Sequence, residues 1–250
     1  MGARAFRPSA LFLGIVAIFG VSGWLLWQPI GNPRLDVFLF VTAGWVVSLC
    51  LHEYAHALTA YHGGDRGVAA RGYLRLDPLK YSHPVLSILL PLLFLVLGGI
   101  GLPGGAVYVD RNSVRGRRWD SLISFAGPAV NLGFALLLIT PFWFIEPVTH
   151  AFFWAGVAFL AFLQLTATVL NLLPIPGTDG GNLIEPWLSA QWQRGYRLVA
   201  PYGLLLLLAL LWQLPLLSQL FFGAVNGIAN ALGLPSDFAG IGRTLYQFWG

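Results

Sequence analysis

The chain has 250 residues, of which 57% are hydrophobic and only 10% are charged, and its formal net charge is +4. A soluble domain carries about 25% charged residues, so this composition excludes a soluble globular protein and indicates a polytopic membrane protein. The basic excess does not indicate a nucleic-acid partner, because the arginines are neither interleaved with aromatic residues nor gathered in a soluble module.

Apolar runs long enough to cross a hydrocarbon core, about 20 residues in a helix, recur along the chain. They lie at about 10–27, 37–61, 120–145, 151–173 and 198–217, with shorter stretches at 85–101 and 220–234. The first run is too long for a signal peptide and lacks a small-x-small cleavage site, so we interpret it as a retained span. We predict an all-α polytopic membrane protein with five to six transmembrane helices, forming one domain over 1–250.

Residues 52–56 read His-Glu-Tyr-Ala-His inside the second apolar run. An ionisable side chain at the bilayer centre costs roughly 2.5–3.5 kcal/mol on insertion scales, so Glu53 between two histidines requires a compensating function. On a helix, His52 and His56 lie on the same face and can present ring nitrogens to one metal ion. In HExxH sites the glutamate takes a proton from water that zinc acidifies, which predicts one Zn²⁺ ion here.

A catalytic zinc typically has three protein ligands plus water, so a third ligand is needed. His62 has the histidine spacing of the HExxHxxGxxH pattern, but Thr59 stands where that pattern has its glycine. Asp179 lies within 171–182, where two prolines and three glycines break a helix. Broken backbone at membrane depth is tolerated only where protein or a water-filled cavity covers it. We therefore expect Asp179 as the third ligand; an exposed polar turn leaving the membrane is the alternative.

Three segments together resemble the site-2 protease family of intramembrane zinc metalloproteases. HEYAHA at 52–57 matches the HExxH motif, NLLPIPGTDGGN at 171–182 matches NxxPxxxxDG, and FAGPAVN at 125–131 matches AGPxxN. A threonine precedes Asp179 where leucine is common in the family. The resemblance covers about 37–190, which leaves the spans 10–27 and 198–217 as accessory elements.

Carried over residue by residue, the resemblance implies that the zinc ligands are His52, His56 and Asp179. Glu53 would be the general base. Asn171 would hold the substrate or the developing oxyanion, since an amide donates a hydrogen bond without bringing charge into lipid, and Asn131 would line the same cavity. An asparagine in a span often only bridges helices, so that alternative stays open for Asn171 and Asn131.

A shared metal ion constrains the topology. If His56 and Asp179 bind one ion, the ends of spans 37–61 and 151–173 lie near the same membrane face. Of the two apolar stretches between these spans, 85–101 and 120–145, only one can then cross the membrane. Pro91 and the glycines that follow it favour a re-entrant segment at 85–101. Loops 62–84 and 103–119 then lie on the same side of the membrane as the site. They contain eight basic residues: Arg66, Arg71, Arg75, Lys80, Arg111, Arg115, Arg117 and Arg118. By the positive-inside rule, the site faces the cytoplasm.

Residues Gly72 to Leu79 have the alternation of a weak strand, which could pair with an extended substrate backbone. A plain cytoplasmic loop fits the same residues. Whether 220–234 crosses the membrane or lies flat at the interface stays open.

The sequence thus predicts a zinc endopeptidase of a prokaryotic plasma membrane. By resemblance, it would cut transmembrane segments of single-pass proteins such as anti-sigma factors or membrane-tethered regulators. One alternative is a membrane-anchored HExxH protease that cuts soluble loops, but Glu146 and Glu185 fall in no helical ligand motif. Another is a metal-binding transporter, for which we find no repeated polar pathway. The oligomeric state is open.

Overall fold

The computed structural model describes residues 7–28, 30–81, 107–146 and 149–247, together with Leu93 and Leu95. Within these ranges the chain is helical and contains no strand. The α-helices are α1 (Ala10–Trp27), α2 (Pro33–Gly63), α3 (Gly67–Ala70), α4 (Arg117–Ile139), α5 (Ala151–Leu172), α6 (Asp179–Ile184), α7 (Ala190–Gln213), α8 (Pro215–Ala231) and α9 (Ser236–Tyr246). This confirms the predicted all-α class.

Five of these helices are long and apolar enough to cross a membrane by length and composition: α1, α2, α4 with its 3-10 extension to Trp143, α5 and α7. They coincide with the five predicted spans. Polar caps at their starts explain two of the boundaries. The Ser9 side chain accepts a hydrogen bond from the amide of Phe12, and the Asn32 side chain accepts from the amides of Arg34 and Leu35.

The centre of the molecule is a bundle of α2, α4 and α5. In an apolar stretch of 18 residues, 83% of the residues of α5 and 72% of those of α2 are buried, so these helices are surrounded by protein. Small residues allow close approach, as is usual where lipid supplies no hydrophobic force between helices. A Cβ atom at Gly44 would lie less than 3.0 Å from both Leu160 of α5 and Phe19 of α1.

The start of α1, the end of α2 and the start of α4 meet at one end of the bundle. The amide of Ser9 donates to the carbonyl of Arg75 over 2.8 Å, and the amide of Arg115 donates to that of Gly63 over 2.9 Å. At the other end the ring of His150 stacks on Trp27 with centroids 3.8 Å apart. We call the first end, formed by residues 62–81, 107–119 and 173–190, the site end.

The segment 82–106 contains the predicted re-entrant stretch 85–101, which lies outside the described residues except for Leu93 and Leu95. The residues that flank the segment both contact α2. The hydroxyl of Tyr81 donates to the carbonyl of Cys50, and the amide of Val107 donates to the carboxylate of Glu53.

The predicted strand at 72–79 is wrong. These residues form two single-turn 3-10 helices, Tyr73–Arg75 and Pro78–Lys80, and Leu76 has a positive φ of 51°. Tyr73 and Leu74 are consecutive and both buried, which an alternating strand cannot provide on one face. The Asp77 side chain accepts from the amide of Leu79 and thereby starts the second turn.

The C-terminal helices differ in how they contact the bundle. Helix α8 contains most of the stretch 220–234 and lays Phe221, Val225 and Ala229 against the central helices. Helix α9 has only 11 residues but packs on α5 and α2, with Tyr246 fully buried. The hydroxyl of Tyr246 lies 3.3 Å from that of Thr42 on α2.

Candidate metal centre

Three ligand-type side chains converge in the bundle near the site end. His52 and His56 stand one turn apart on α2 and are 4% and 8% exposed, and Asp179 begins α6. The Nε2 atoms of the histidines are 3.0 Å apart. The Asp179 Oδ2 lies 3.2 Å from His52 Nε2, and its Oδ1 lies 3.4 Å from His56 Nε2. The structure thus brings together residues that the sequence separates by more than 120 positions.

These distances fit one zinc ion. Zinc binds histidine nitrogen and carboxylate oxygen at about 2.0–2.2 Å in tetrahedral geometry, which places neighbouring ligand atoms about 3.3–3.6 Å apart. The two histidine nitrogens are 3.0 Å apart, and each lies 3.2 or 3.4 Å from a different oxygen of the Asp179 carboxylate, which is close to this spacing. Glu53 is 2% exposed, and its Oε1 lies 4.0 Å from His52 Nε2, beside these atoms.

The break after α5 brings Asp179 to the histidines. Thr178 caps α6, since its Oγ1 accepts from the amide of Gly181 and donates to the carbonyl of Leu173. A Cβ atom at Gly180 would lie less than 3.0 Å from the carbonyl of Leu172, so α6 folds back tightly on the end of α5.

Helix α4 contacts both histidines from behind. The Nδ1 of His52 pairs with the Oδ1 of Asn131, and the Nδ1 of His56 lies 2.6 Å from the carbonyl oxygen of Ile123. Each ring therefore directs its Nε2 toward Asp179. Such partners fix the tautomer and orientation of histidine ligands in metal sites.

Gly127 of α4 faces the two histidines directly. A Cβ atom there would lie less than 3.0 Å from the Nε2 atoms of both His52 and His56. The residue occupies the glycine position of the AGPxxN segment, so a sequence signal existed, but the sequence analysis gave this glycine no role. Any side chain here would collide with the two Nε2 atoms.

The segment 107–110 lies along α2 and orients the glutamate. The amide of Val107 donates to Glu53 Oε2 over 3.1 Å, and the amide of Asp110 donates to Asp65 Oδ2 over 2.8 Å. Asp65 is itself 2% exposed. These contacts leave Glu53 Oε1 directed toward the histidines, an arrangement that no sequence motif predicted.

The remaining candidate residues are Asn171, Asn131 and His62. Asn171 is 3% exposed in the last turn of α5, and within the described ranges no hydrogen bond involves its side-chain amide. Asn131 contacts His52, as described above. His62 is exposed, its Nδ1 lies 2.8 Å from the carbonyl of Leu58, and it takes no part in the cluster.

The two glutamates considered for the alternative protease class, Glu185 and Glu146, lie outside the cluster. Glu185 is buried, but its carboxylate is 2.6 Å from Arg197 Nε and 3.6 Å from Arg111 Nη1. Glu146 is exposed. Neither joins the group formed by His52, Glu53 and His56.

Comparison with known proteins gives full-length relatives. The chain is 49% identical to a Mycobacterium tuberculosis (strain H37Rv) protein named "Putative zinc metalloprotease Rip2", over 98% of this chain and 96% of that protein. A Mycolicibacterium smegmatis protein of the same name is 46% identical with the same coverage. Bacillus subtilis YwhC, also named as a zinc metalloprotease, is 29% identical over 70% of this chain and 81% of its own. No protein-family model and no solved structure matches the chain.

The apolar helices and the buried cluster, taken with these relatives, define a bacterial multi-pass membrane zinc metalloprotease with one zinc ion. Within that class, the chain belongs to the site-2 protease family. The resemblance of its three motifs is confirmed.

Proposed function

We propose that the protein is an intramembrane endopeptidase that cuts a peptide bond within or beside the transmembrane helix of a single-pass membrane protein. The depth of the centre carries this proposal. His52 stands eleven residues before the end of α2 at Gly63, which is about 16 Å along a helix that rises 1.5 Å per residue. A protease that cuts soluble loops has no need of ligands this far inside an apolar helix, where each ionisable group is costly.

The proposed ligands are His52, His56 and Asp179. Zinc held by three protein ligands supplies a Lewis acid that acidifies water and polarises a carbonyl group. Glu53 is the proposed general base, because its Oε2 is held by the Val107 amide while its Oε1 is directed toward His52 Nε2 and is available for a proton.

Asn171 is the proposed hydrogen-bond donor to the oxyanion that forms when the scissile carbonyl is attacked. Its amide is buried close in sequence to Asp179 and is not engaged by the described residues. A neutral donor suits a site in lipid, since it stabilises developing negative charge without carrying charge itself. Asn131 is less suited to this role because both ends of its amide are occupied within the protein.

A helical substrate must unwind before attack, because its backbone carbonyls are hydrogen-bonded within the helix. By family resemblance, anti-sigma factors and membrane-tethered regulators are the proposed substrates. The basic residues at the site end favour a cytoplasmic orientation in the plasma membrane, and residues 1–250 form a single catalytic domain.

The test uses purified protein in detergent, with zinc content measured by atomic spectroscopy and cleavage of a single-pass model substrate followed on gels. Glu53→Gln should retain zinc and lose at least about 10²-fold in cleavage rate. Asp179→Asn should lose zinc, and His62→Ala should retain both properties. Full zinc content and full activity in Asp179→Asn would overturn the ligand assignment. Preferential cleavage of the same sequence in a soluble peptide would overturn the intramembrane substrate.

A further inference from the structure

A line of buried hydrogen bonds extends from His52 through three helices. Asn131 of α4, which accepts from His52 Nδ1, donates from its Nδ2 to Gln164 Oε1 of α5 over 2.7 Å. Gln164 Nε2 donates to Ser48 Oγ of α2 over 2.8 Å, and Ser48 Oγ donates to the carbonyl of Trp45 over 3.0 Å. Gln164 is completely buried, and Ser48 and Asn131 are 1% and 4% exposed.

The carbonyl at the far end favours one direction of this line. In the observed direction the Ser48 hydroxyl donates to the Trp45 carbonyl and accepts from the amide nitrogen of Gln164, whereas in the reverse direction it would have to donate to Gln164 and the hydrogen bond to Trp45 would be lost. The Gln164 oxygen then faces the Asn131 nitrogen, which leaves the Asn131 oxygen to face His52. An acceptor at that place requires a proton on His52 Nδ1 and leaves the lone pair on Nε2.

We propose that Gln164, anchored by Ser48, is a positioning residue that holds His52 in the tautomer able to bind zinc. The inference rests on the proposed ligand role of His52. Without Gln164, the Asn131 amide can rotate and present its nitrogen to His52, which favours the opposite tautomer with a proton on the metal-facing Nε2.

The second histidine shows why the relay is needed. His56 Nδ1 is held directly by the carbonyl of Ile123, a backbone acceptor that cannot reverse its polarity. His52 has a side-chain amide in that place, and an amide offers an acceptor and a donor at nearly equal size. The relay through Gln164 and Ser48 thereby favours in Asn131 the polarity that His56 obtains from the main chain.

The competing interpretation is that Gln164 only joins helices, as buried carboxamides often do in membranes. The two roles separate in a double-mutant cycle. Aspartate at position 131 has two acceptor oxygens and no amide nitrogen, so in Asn131→Asp an acceptor faces His52 Nδ1 whether or not Gln164 is present. If Gln164 acts by positioning, its substitution should have no further effect on zinc binding in that background. If Gln164 acts only by packing helices together, its substitution should have the same effect in both backgrounds.

The experiment measures the zinc dissociation constant of detergent-purified protein by chelator competition, together with the unfolding temperature of the zinc-free form. Gln164→Leu should weaken zinc binding about 10- to 100-fold, the usual effect of losing an outer-shell partner. In the Asn131→Asp background the same substitution should change zinc affinity less than about threefold. Thr166→Val, which removes a buried hydroxyl that donates to the carbonyl of Phe162 on α5, should leave zinc affinity unchanged.

Equal losses of zinc affinity in both backgrounds, or no loss for Gln164→Leu alone, would overturn the relay. His52→Ala separates this outcome from a failure of the proposed function. If His52→Ala binds zinc as tightly as the unaltered protein, then His52 is not a ligand and the relay also fails. If His52→Ala loses zinc while the Gln164 losses are equal in both backgrounds, the proposed function stands and only the relay is rejected.

Discussion

Helices α5 and α7 are similar in length and apolar character but differ in what surrounds them. They have 22 and 24 residues, and the mean hydropathies of their apolar stretches are 1.8 and 1.5. Yet 83% of the residues in the stretch from α5 are buried, against only 11% in the stretch from α7. Helix α7 contains the run 204–211, which is leucine except for one alanine, whereas α5 carries alanines, Gly156 and the carboxamides Gln164 and Asn171. Hydropathy identifies both as spans, but small and polar residues identify the one that contributes to the site.

The physical reason for this difference is that lipid, and not water, surrounds these helices. Lipid is as apolar as leucine, so a leucine-rich face gains little by leaving lipid for protein. Small residues allow helices to approach, and a buried carboxamide needs a partner on a neighbouring helix. The difference between α5 and α7 therefore predicts that substitutions in the central bundle will affect the zinc centre, while those at exposed positions of α7 will have small effects.

The largest effect is expected from Gly127→Ala. The new methyl group would collide with the Nε2 atoms of His52 and His56, the proposed zinc-binding atoms, so we expect zinc content to fall close to zero and cleavage to be lost. Gly133→Ala is the matched control on the same helix, because a Cβ atom there has open space. Zinc content by atomic spectroscopy decides the outcome; a zinc-loaded Gly127→Ala protein would contradict the close packing over the centre.

A moderate effect is expected from Gly242→Ala on α9. A Cβ atom there would lie less than 3.0 Å from the carbonyl of Ala155 and the Cβ of Phe159, which would push α9 away from α5. Overpacking of this kind costs about 1–3 kcal/mol, so the unfolding temperature should fall. Gly240→Ala, which faces open space on the same helix, should match or slightly exceed the unaltered protein. Equal unfolding temperatures for the two variants would show that α9 does not belong to the buried bundle.

The smallest effect is expected from Arg197→Ala on α7. Arg197 donates to the buried Glu185 over 2.6 Å, but its side chain is 65% exposed, so solvent screens the pair. We expect a loss of about 0.5–1 kcal/mol in unfolding free energy, reduced further by salt, with zinc content unchanged. Arg194→Ala is the control, since Arg194 forms no ion pair within the described part of the chain. Loss of zinc in Arg197→Ala would mean that α7 helps hold the centre and would remove the distinction drawn above.

The spans and the converging residues were predictable for physical reasons. A span needs about 20 apolar residues whatever its sequence, and the spacing of His52 and His56 is set by the helix itself. Asp179 was predictable because prolines and glycines mark the helix break that contains it. In each case the signal is local, so a single sequence contains it.

Contacts between distant elements were not predictable in the same way. The alternation at 72–79 suggested a strand, but the burial of both Tyr73 and Leu74 depends on how the loop packs against α2. Gln164 gave a partial signal as a carboxamide in an apolar helix, although nothing in the sequence paired it with Asn131 and Ser48. The docking of α9 was missed because a helix of 11 residues has no span-length signal.

The divided origin of the zinc centre has a consequence for how the protein is made. Two of the converging residues enter the membrane with α2, and the third follows α5, so the set is complete only after the whole central bundle has been inserted. Metal binding to such a set is coupled to folding. A nascent chain in which α5 has not yet docked therefore lacks one of the three proposed zinc ligands.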